Sequence, residues 1–93
     1  MKDHIVVDLD EVSAAINRIR ARKSVTTHTS DIIREYMGGF FSNKGVSVHL
    51  SWNAQFGRLI SRNAEALGIQ ELKADQSVTD DIKRETTSSL WKI

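Results

Sequence analysis

The stretch Ser51–Gly68, SWNAQFGRLISRNAEALG, contains the pattern that decides the fold. Ser51 can cap a helix because its hydroxyl can accept from a free backbone N–H of the first turn. Gly68 can end the helix in the left-handed conformation that glycine tolerates. At about 100° per residue, Trp52, Phe56, Leu59, Ile60, Asn63 and Leu67 share one face, opposite Ala54, Arg58, Ser61, Arg62 and Glu65, with Gln55 at the margin. The pattern predicts one helix with a buried face and an arginine and amide face that suits a nucleic-acid groove.

The composition is that of a small globular domain. The 93 residues predict a single domain over 1–93 with a modest core, to which we assign Trp52 and Trp91. No apolar run is long enough to cross a bilayer, and the first residues do not form a secretory signal. We therefore expect a cytoplasmic protein with no membrane partner. The absence of cysteine excludes disulfides and thiolate metal sites.

The net charge of +1 is unevenly distributed. Residues 17–62 hold eight basic and two acidic side chains, whereas residues 1–16 and 63–93 are acidic on balance. A basic middle segment can meet phosphate. The group Arg18–Lys23 also falls in the last turns of a predicted helix, where cations complement the helix dipole. For this group a helix-end and solubility role is favoured over phosphate contact.

The remaining chain predicts two further helices, a short strand and a C-terminal hairpin. Asp8 and Glu11 resemble a capping box at the start of a helix from about Leu9 to Arg22. Thr29 or Ser30 caps a second helix, which Gly38–Gly39 stops. Extended segments are predicted at Ser24–Thr27, Val46–Leu50, Leu72–Thr79 and Thr86–Ile93, with a loop at Phe40–Gly45 and a turn at Asp80–Arg84.

The order helix, strand, helix, loop, helix, hairpin is the layout of a winged-helix domain. Asp31–Ile60 resembles the winged-helix segment of regulatory-factor-X DNA-binding domains and of the C-terminal domains of phage and poxvirus primase-helicases. The matching residues are Tyr36, Gly45, Asn53, Phe56, Gly57, Arg58, Leu59 and Ile60. The resemblance covers about a third of the chain directly. It implies an α+β winged helix: three helices with a C-terminal β-hairpin wing, the third helix entering the major groove.

The functional residues that the resemblance implies lie on the third helix and in the wing. The candidate nucleic-acid contacts are Asn53, Gln55, Arg58 and Arg62 on the helix, flanked by Lys83 and Arg84 in the wing. The alternative for Arg58 and Arg62 is a solvated face whose side-chain stems cover apolar neighbours. The wing itself departs from a strongly basic one, since it holds as much acid as base.

No pattern indicates catalysis. The three histidines, His4, His28 and His49, lack metal-ligand spacing. The acidic group Asp8–Glu11 is explained more simply by a helix cap than by a magnesium site. There is no nucleophile elbow and no glycine loop that cradles phosphate. We therefore expect a protein that is not an enzyme and has no metal or small-molecule cofactor.

Two functions remain open. The first is a small winged-helix protein that binds duplex DNA, as a regulator or accessory factor of a phage or mobile element. The second is a protein–protein interaction module on the same scaffold, with a homodimer or another protein as its partner. A positive band from Arg58 to Arg34 or Arg18–Lys23 would favour nucleic acid. An apolar patch around Phe40, Phe41 or Trp91 would favour a protein partner.

Overall fold

The computed structural model describes residues 5–40 and 51–93, which form four helices and one three-stranded antiparallel sheet. The α+β class is therefore confirmed. The helices are α1 (Leu9–Ala21), α2 (Thr29–Met37), α3 (Trp52–Arg62) and α4 (Ala64–Leu67), and the strands are β1 (Thr26–His28), β2 (Gln70–Thr79) and β3 (Glu85–Lys92). The predicted segment Val46–Leu50, together with His4, Phe41, Gly45 and His49, lies outside the described residues.

The sheet has the strand order β1-β3-β2, so the last strand of the chain is central. The short first strand pairs with the end of β3, with Thr27 opposite Trp91. The predicted C-terminal hairpin is confirmed, with Val78 of β2 opposite Thr86 of β3. Strand β2 carries two register shifts, and Asp75, which lies within the second one between Lys73 and Gln76, has a left-handed φ of 54°. Such irregularities are typical of the edge of a sheet.

Helix α1 begins at the predicted cap but without the reciprocal half of a capping box. The Asp8 carboxylate accepts from the N–H of Asp10 at 2.9 Å. The N–H of Asp8 donates to the hydroxyl of Tyr36 at 3.3 Å, a role that a capping box gives to Glu11. The start of α1 is thereby tied to the end of α2.

The predicted side-chain cap of α2 is wrong. The N-cap residue is His28, which makes no side-chain capping bond, and both Thr29 and Ser30 lie in the first turn. The Thr29 hydroxyl accepts instead from the indole N–H of Trp91 at 2.7 Å. A buried indole N–H needs an acceptor, and the sheet brings Trp91 to this hydroxyl. The predicted stop is confirmed, since Gly38 has a left-handed φ of 86°.

The single helix predicted over Ser51–Gly68 is two helices. The Ser51 cap is confirmed, with its hydroxyl accepting from the N–H of Ala54 at 3.2 Å. The helix is interrupted at Asn63, whose side-chain amide donates to the carbonyl of Leu59 at 2.8 Å. Asparagine competes in this way for backbone groups and favours helix ends. Gly68 then ends α4 with a left-handed φ of 71°, as predicted.

The core lies between the helices and the sheet. Phe56 and Ile60 anchor α3 in it with no exposed surface, and Trp91 is 2% exposed. Trp52 is only partly buried and stacks on Phe56 with ring centroids 5.0 Å apart. The buried apolar residues are Val12, Ala15, Ile16, Ile19, Ile32, Ile33, Phe40, Phe56, Ile60, Leu67, Ile69 and Trp91. The face of α3 opposite Phe56 and Ile60 is thus held in a fixed orientation.

Candidate nucleic-acid interface

An open cleft of about 540 Å³ separates α3 from the start of α2 and from β3. Helix α3 contributes Ala54, Gly57 and Ser61, which are three and four positions apart and therefore share one side of the helix. Ala54, Gly57 and Ser61 are small, so this side of α3 is shallow. The described residues lining the cleft are Thr29, Ser30, Ile33, Phe40, Ser51, Asn53, Ala54, Gly57, Arg58, Ser61, Asp75, Thr86, Thr87, Ser88 and Ser89.

Three of the four candidate residues on α3 have side chains that reach the surface. Asn53 and Arg58 line the cleft and are half-buried. Arg62 is exposed in the last turn of α3, outside the cleft lining. Gln55 is 3% exposed and lies in the interior. The buried side of α3 is therefore wider than its apolar residues alone indicate, and Gln55 is corrected to an interior position.

The two candidate residues of the hairpin do not join Arg58 at the cleft. Lys83 is exposed in the turn with a left-handed φ of 67°. Arg84 donates from Nε to Oδ2 of Asp80 at 2.9 Å. The other carboxylate oxygen of Asp80 accepts from the N–H groups of Ile82 and Arg84 at 3.1 and 2.8 Å. Because Asp80 is 3% exposed, this set of bonds identifies Arg84 as a residue that holds the turn together.

The hairpin turn is fastened to α2 through Arg34. Its Nε donates to Oδ1 of Asp81 at 2.7 Å, and its other nitrogens donate to Asp31 and to the carbonyl of Thr79. The second oxygen of Asp81 accepts from the N–H of Phe40 at 2.9 Å. The bonds from Arg34 and from the Phe40 N–H lower the pKa of Asp81. The bond to Asp81 is also the main cause that raises the pKa of Arg34.

The basic residues at the end of α1 are likewise used within the fold. Arg18 and Arg22 both contact the Glu35 carboxylate of α2 at 3.0 Å, and these bonds lower the pKa of Glu35. Arg20 donates to Asn17 and to the carbonyl of Gly68. These contacts join α1 to α2 and to the end of α4, and the helix-end role of the arginines stays a prediction. The charge of the basic segment is therefore partly compensated by neighbouring acids.

The hydroxyl groups of the cleft were not predicted from the sequence. The Thr29 hydroxyl accepts from Trp91 at 2.7 Å, and the Ser88 hydroxyl accepts from the N–H of Ser30 at 2.9 Å. Ser30 itself is 2% exposed. The run TTSS at Thr86–Ser89 was the only local signal, and a run of small polar residues in a strand does not distinguish a site from a solvated surface.

The comparisons identify no relative: no protein-family model, curated protein or solved structure matches this chain significantly. Within residues 5–40 and 51–93, no group of three or more histidine, aspartate or glutamate side chains is placed to hold a metal ion. No helix in these ranges is both long and apolar enough to cross a membrane.

Proposed function

We propose that this chain is a winged-helix protein that binds duplex DNA through α3. The observation that carries the proposal is the position of Asn53 and Arg58, which both line an open cleft beside α3. Arg58 lies on the side of the helix opposite the buried Phe56 and Ile60. Support for a winged helix comes from the strand order β1-β3-β2 and from a hairpin that follows the third long helix. The resemblance of Asp31–Ile60 to primase-helicase domains is the ground for a role in a phage or mobile element.

The side chains on α3 match the chemistry that reads a duplex. Arg58 and Arg62 are four residues apart and can each contact phosphate or the acceptor edge of guanine. Asn53 lies in the first turn of α3, where an amide can bond to the edge of adenine. Because Phe56 and Ile60 are fully buried, α3 is a rigid support for these groups. Lys83 flanks the surface as an exposed charge, whereas Gln55 and Arg84 are left out of the proposed contacts.

A fluorescence-anisotropy titration with mixed-sequence duplexes tests the proposal. We expect binding at low salt that weakens steeply as salt rises, because protein cations displace counterions from DNA. The double variant Arg58→Ala, Arg62→Ala should weaken binding at least about 10-fold and reduce the salt slope by about two.

The matched control is Lys73→Ala, Lys92→Ala, which removes the same charge from exposed positions on the sheet. It should change the affinity much less than the arginine double variant. Absence of binding at low salt, or an equal loss in both double variants, would reject the proposal.

A second candidate function is association with another protein, including a second copy of this chain. Strand β2 is the long edge of the sheet, and its Leu72 is 44% exposed. Unpaired strand edges are common sites of association. The apolar patch expected around Phe40 and Trp91 is not formed by these two residues, which are 3% and 2% exposed. A monomer at high concentration in analytical ultracentrifugation would count against self-association.

A further inference from the structure

We propose that the cleft between α3 and β3 is a phosphate-binding site formed by the hydroxyls of Thr29, Ser30 and Ser88 together with Arg58. The inference rests on the proposed function, which gives the DNA backbone as the source of the phosphate. It assigns a separate part of the molecule to that backbone, distinct from the outer end of α3 that carries Arg62.

The three hydroxyls of the cleft can each donate a further hydrogen bond. Thr29 and Ser88 each accept from an N–H group, at 2.7 and 2.9 Å, so the hydroxyl proton of each remains available for donation. Among the described residues, no acceptor lies within hydrogen-bonding distance of either proton. The Ser30 hydroxyl makes no hydrogen bond there either, although the residue is 2% exposed. Thr29 and Ser30 are 6% and 2% exposed, and Ser88 beside them is half-buried. Because buried polar groups are normally paired, these neighbouring donors indicate a ligand.

Hydroxyl donors of this kind favour a ligand that offers acceptors. A phosphate group offers only acceptor oxygens, whereas a sugar or an amide needs acceptors from the protein as well. Arg58 supplies a cation on the opposite wall of the cleft, and charge-assisted bonds to phosphate are the stronger ones. Ser51 and Ala54 also line the cleft, so the positive end of the α3 dipole faces the same space.

The cleft also contains one group that opposes an anion. Asp75 lines it from β2 and is exposed. A carboxylate at this position repels phosphate through solvent, which lowers the affinity without abolishing it. Removing the charge of Asp75 should therefore strengthen phosphate binding, whereas removing a hydroxyl donor should weaken it. Asparagine also tolerates the left-handed φ of 54° at this position better than most residues.

The experiment is an NMR titration of the full chain with inorganic phosphate at constant ionic strength, followed by anisotropy with duplex DNA. Phosphate should shift the amide signals of residues 29–30, 57 and 86–89. Ser30→Ala should weaken phosphate binding about 5-fold, because one hydrogen bond to a charged group is lost. Asp75→Asn should strengthen it about 3-fold.

Two matched controls lie on the same strand as Asp75, outside the cleft. Ser77→Ala removes an exposed hydroxyl and Glu71→Gln removes an exposed carboxylate. Both should bind phosphate and DNA like the unmodified chain. A change in either control equal to that in its cleft counterpart would overturn the proposal.

The outcomes separate this inference from the proposed function. If DNA binds through Arg58 and Arg62 while phosphate shifts no cleft signal and the Ser30 and Asp75 variants bind DNA normally, the cleft site is rejected and the function stands. If phosphate binds with the expected variant effects while DNA does not bind, the cleft stands as a site for a free phosphate or phosphomonoester and the proposed function falls. No response to either probe rejects both.

Discussion

The hairpin carries two polar regions that differ in how their groups are paired. At its turn, both oxygens of Asp80 and of Asp81 accept hydrogen bonds from within the chain. At the cleft, Ser88 accepts one bond, but its proton finds no acceptor among the described residues. The carboxylate oxygens of the turn are therefore all hydrogen-bonded within the chain, whereas the cleft has hydroxyl protons that can bond to a ligand.

This difference shows that polar composition alone does not identify a binding surface. The turn holds the charged residues that a DNA-binding wing would use, yet Arg84 forms an ion pair with Asp80. The cleft holds mostly small uncharged residues, yet the hydroxyl protons of Thr29, Ser30 and Ser88 have no acceptor among the described residues. A polar residue with all its partners contributes to stability, and one without them is a candidate for binding. Three changes test this separation.

The largest effect is expected at the turn. Asp80→Ala should lower the free energy of unfolding by about 3 kcal/mol, because two backbone N–H groups and the Arg84 guanidinium lose a buried acceptor. Urea denaturation followed by circular dichroism measures this loss. Glu85→Gln, at an exposed position beside the turn, is the control and should change stability by less than about 0.5 kcal/mol. A loss of DNA affinity in folded Asp80→Ala equal to that in the α3 double variant would break the comparison.

An intermediate effect separates two neighbouring hydroxyls of the cleft. Thr29→Val should lower the free energy of unfolding by about 1–2 kcal/mol, because the buried indole N–H of Trp91 loses its acceptor. Ser30→Ala should change it by less than about 0.5 kcal/mol, since that hydroxyl has no described partner. Thermal unfolding of the two variants measures the difference. An equal destabilisation in both would mean that the Ser30 hydroxyl already has a structural role.

The smallest effect is expected on the decrease in the free energy of unfolding at acidic pH. Folding lowers the pKa of Asp81 and of Glu35, chiefly through hydrogen bonds from Arg34 and from Arg22. The resulting stabilisation is complete above the ordinary carboxylate range and is lost as pH falls through the lowered values, because the unfolded chain then binds more protons. Arg34→Met should flatten this acid dependence and Arg58→Ala should not. Urea titrations at several pH values would show it, and an unchanged slope in Arg34→Met would contradict the role given to Asp81.

The elements of the fold could be predicted where the signal is local. The Ser51 cap, the stops at Gly38 and Gly68 and the C-terminal hairpin depend on residues a few positions apart, and all are confirmed. The break at Asn63 was missed because the apolar spacing continues across it, while its side chain bonds to Leu59. The interior position of Gln55 was missed because it lies at the boundary between the apolar and polar faces of the helix. A glutamine at such a boundary can point to solvent or into the interior, and here it is 3% exposed.

Only one wall of the candidate site could be predicted, because only the wall formed by α3 depends on residues that are close together in the sequence. Arg58 was predicted from the polar face of one helix and Asn53 from the family resemblance, and both line the cleft. The other wall comes from the start of α2 and from β3, where Ser30 and Ser88 are 58 positions apart in the chain. A sequence pattern has no means of showing such a pairing unless the sheet register is known.

The sequence by itself determined the starts of α1 and α3, the ends of α2 and α4 and the C-terminal hairpin. The caps, glycines and apolar periodicity behind these features act over a few residues. Only the tertiary structure decided which polar groups are satisfied. Arg34 and Asp81 are 47 positions apart, and Thr29 and Trp91 are 62 apart. Partners at such separations meet only when the hairpin packs against α2. The same packing that closes the turn leaves the hydroxyls of the cleft with protons to donate.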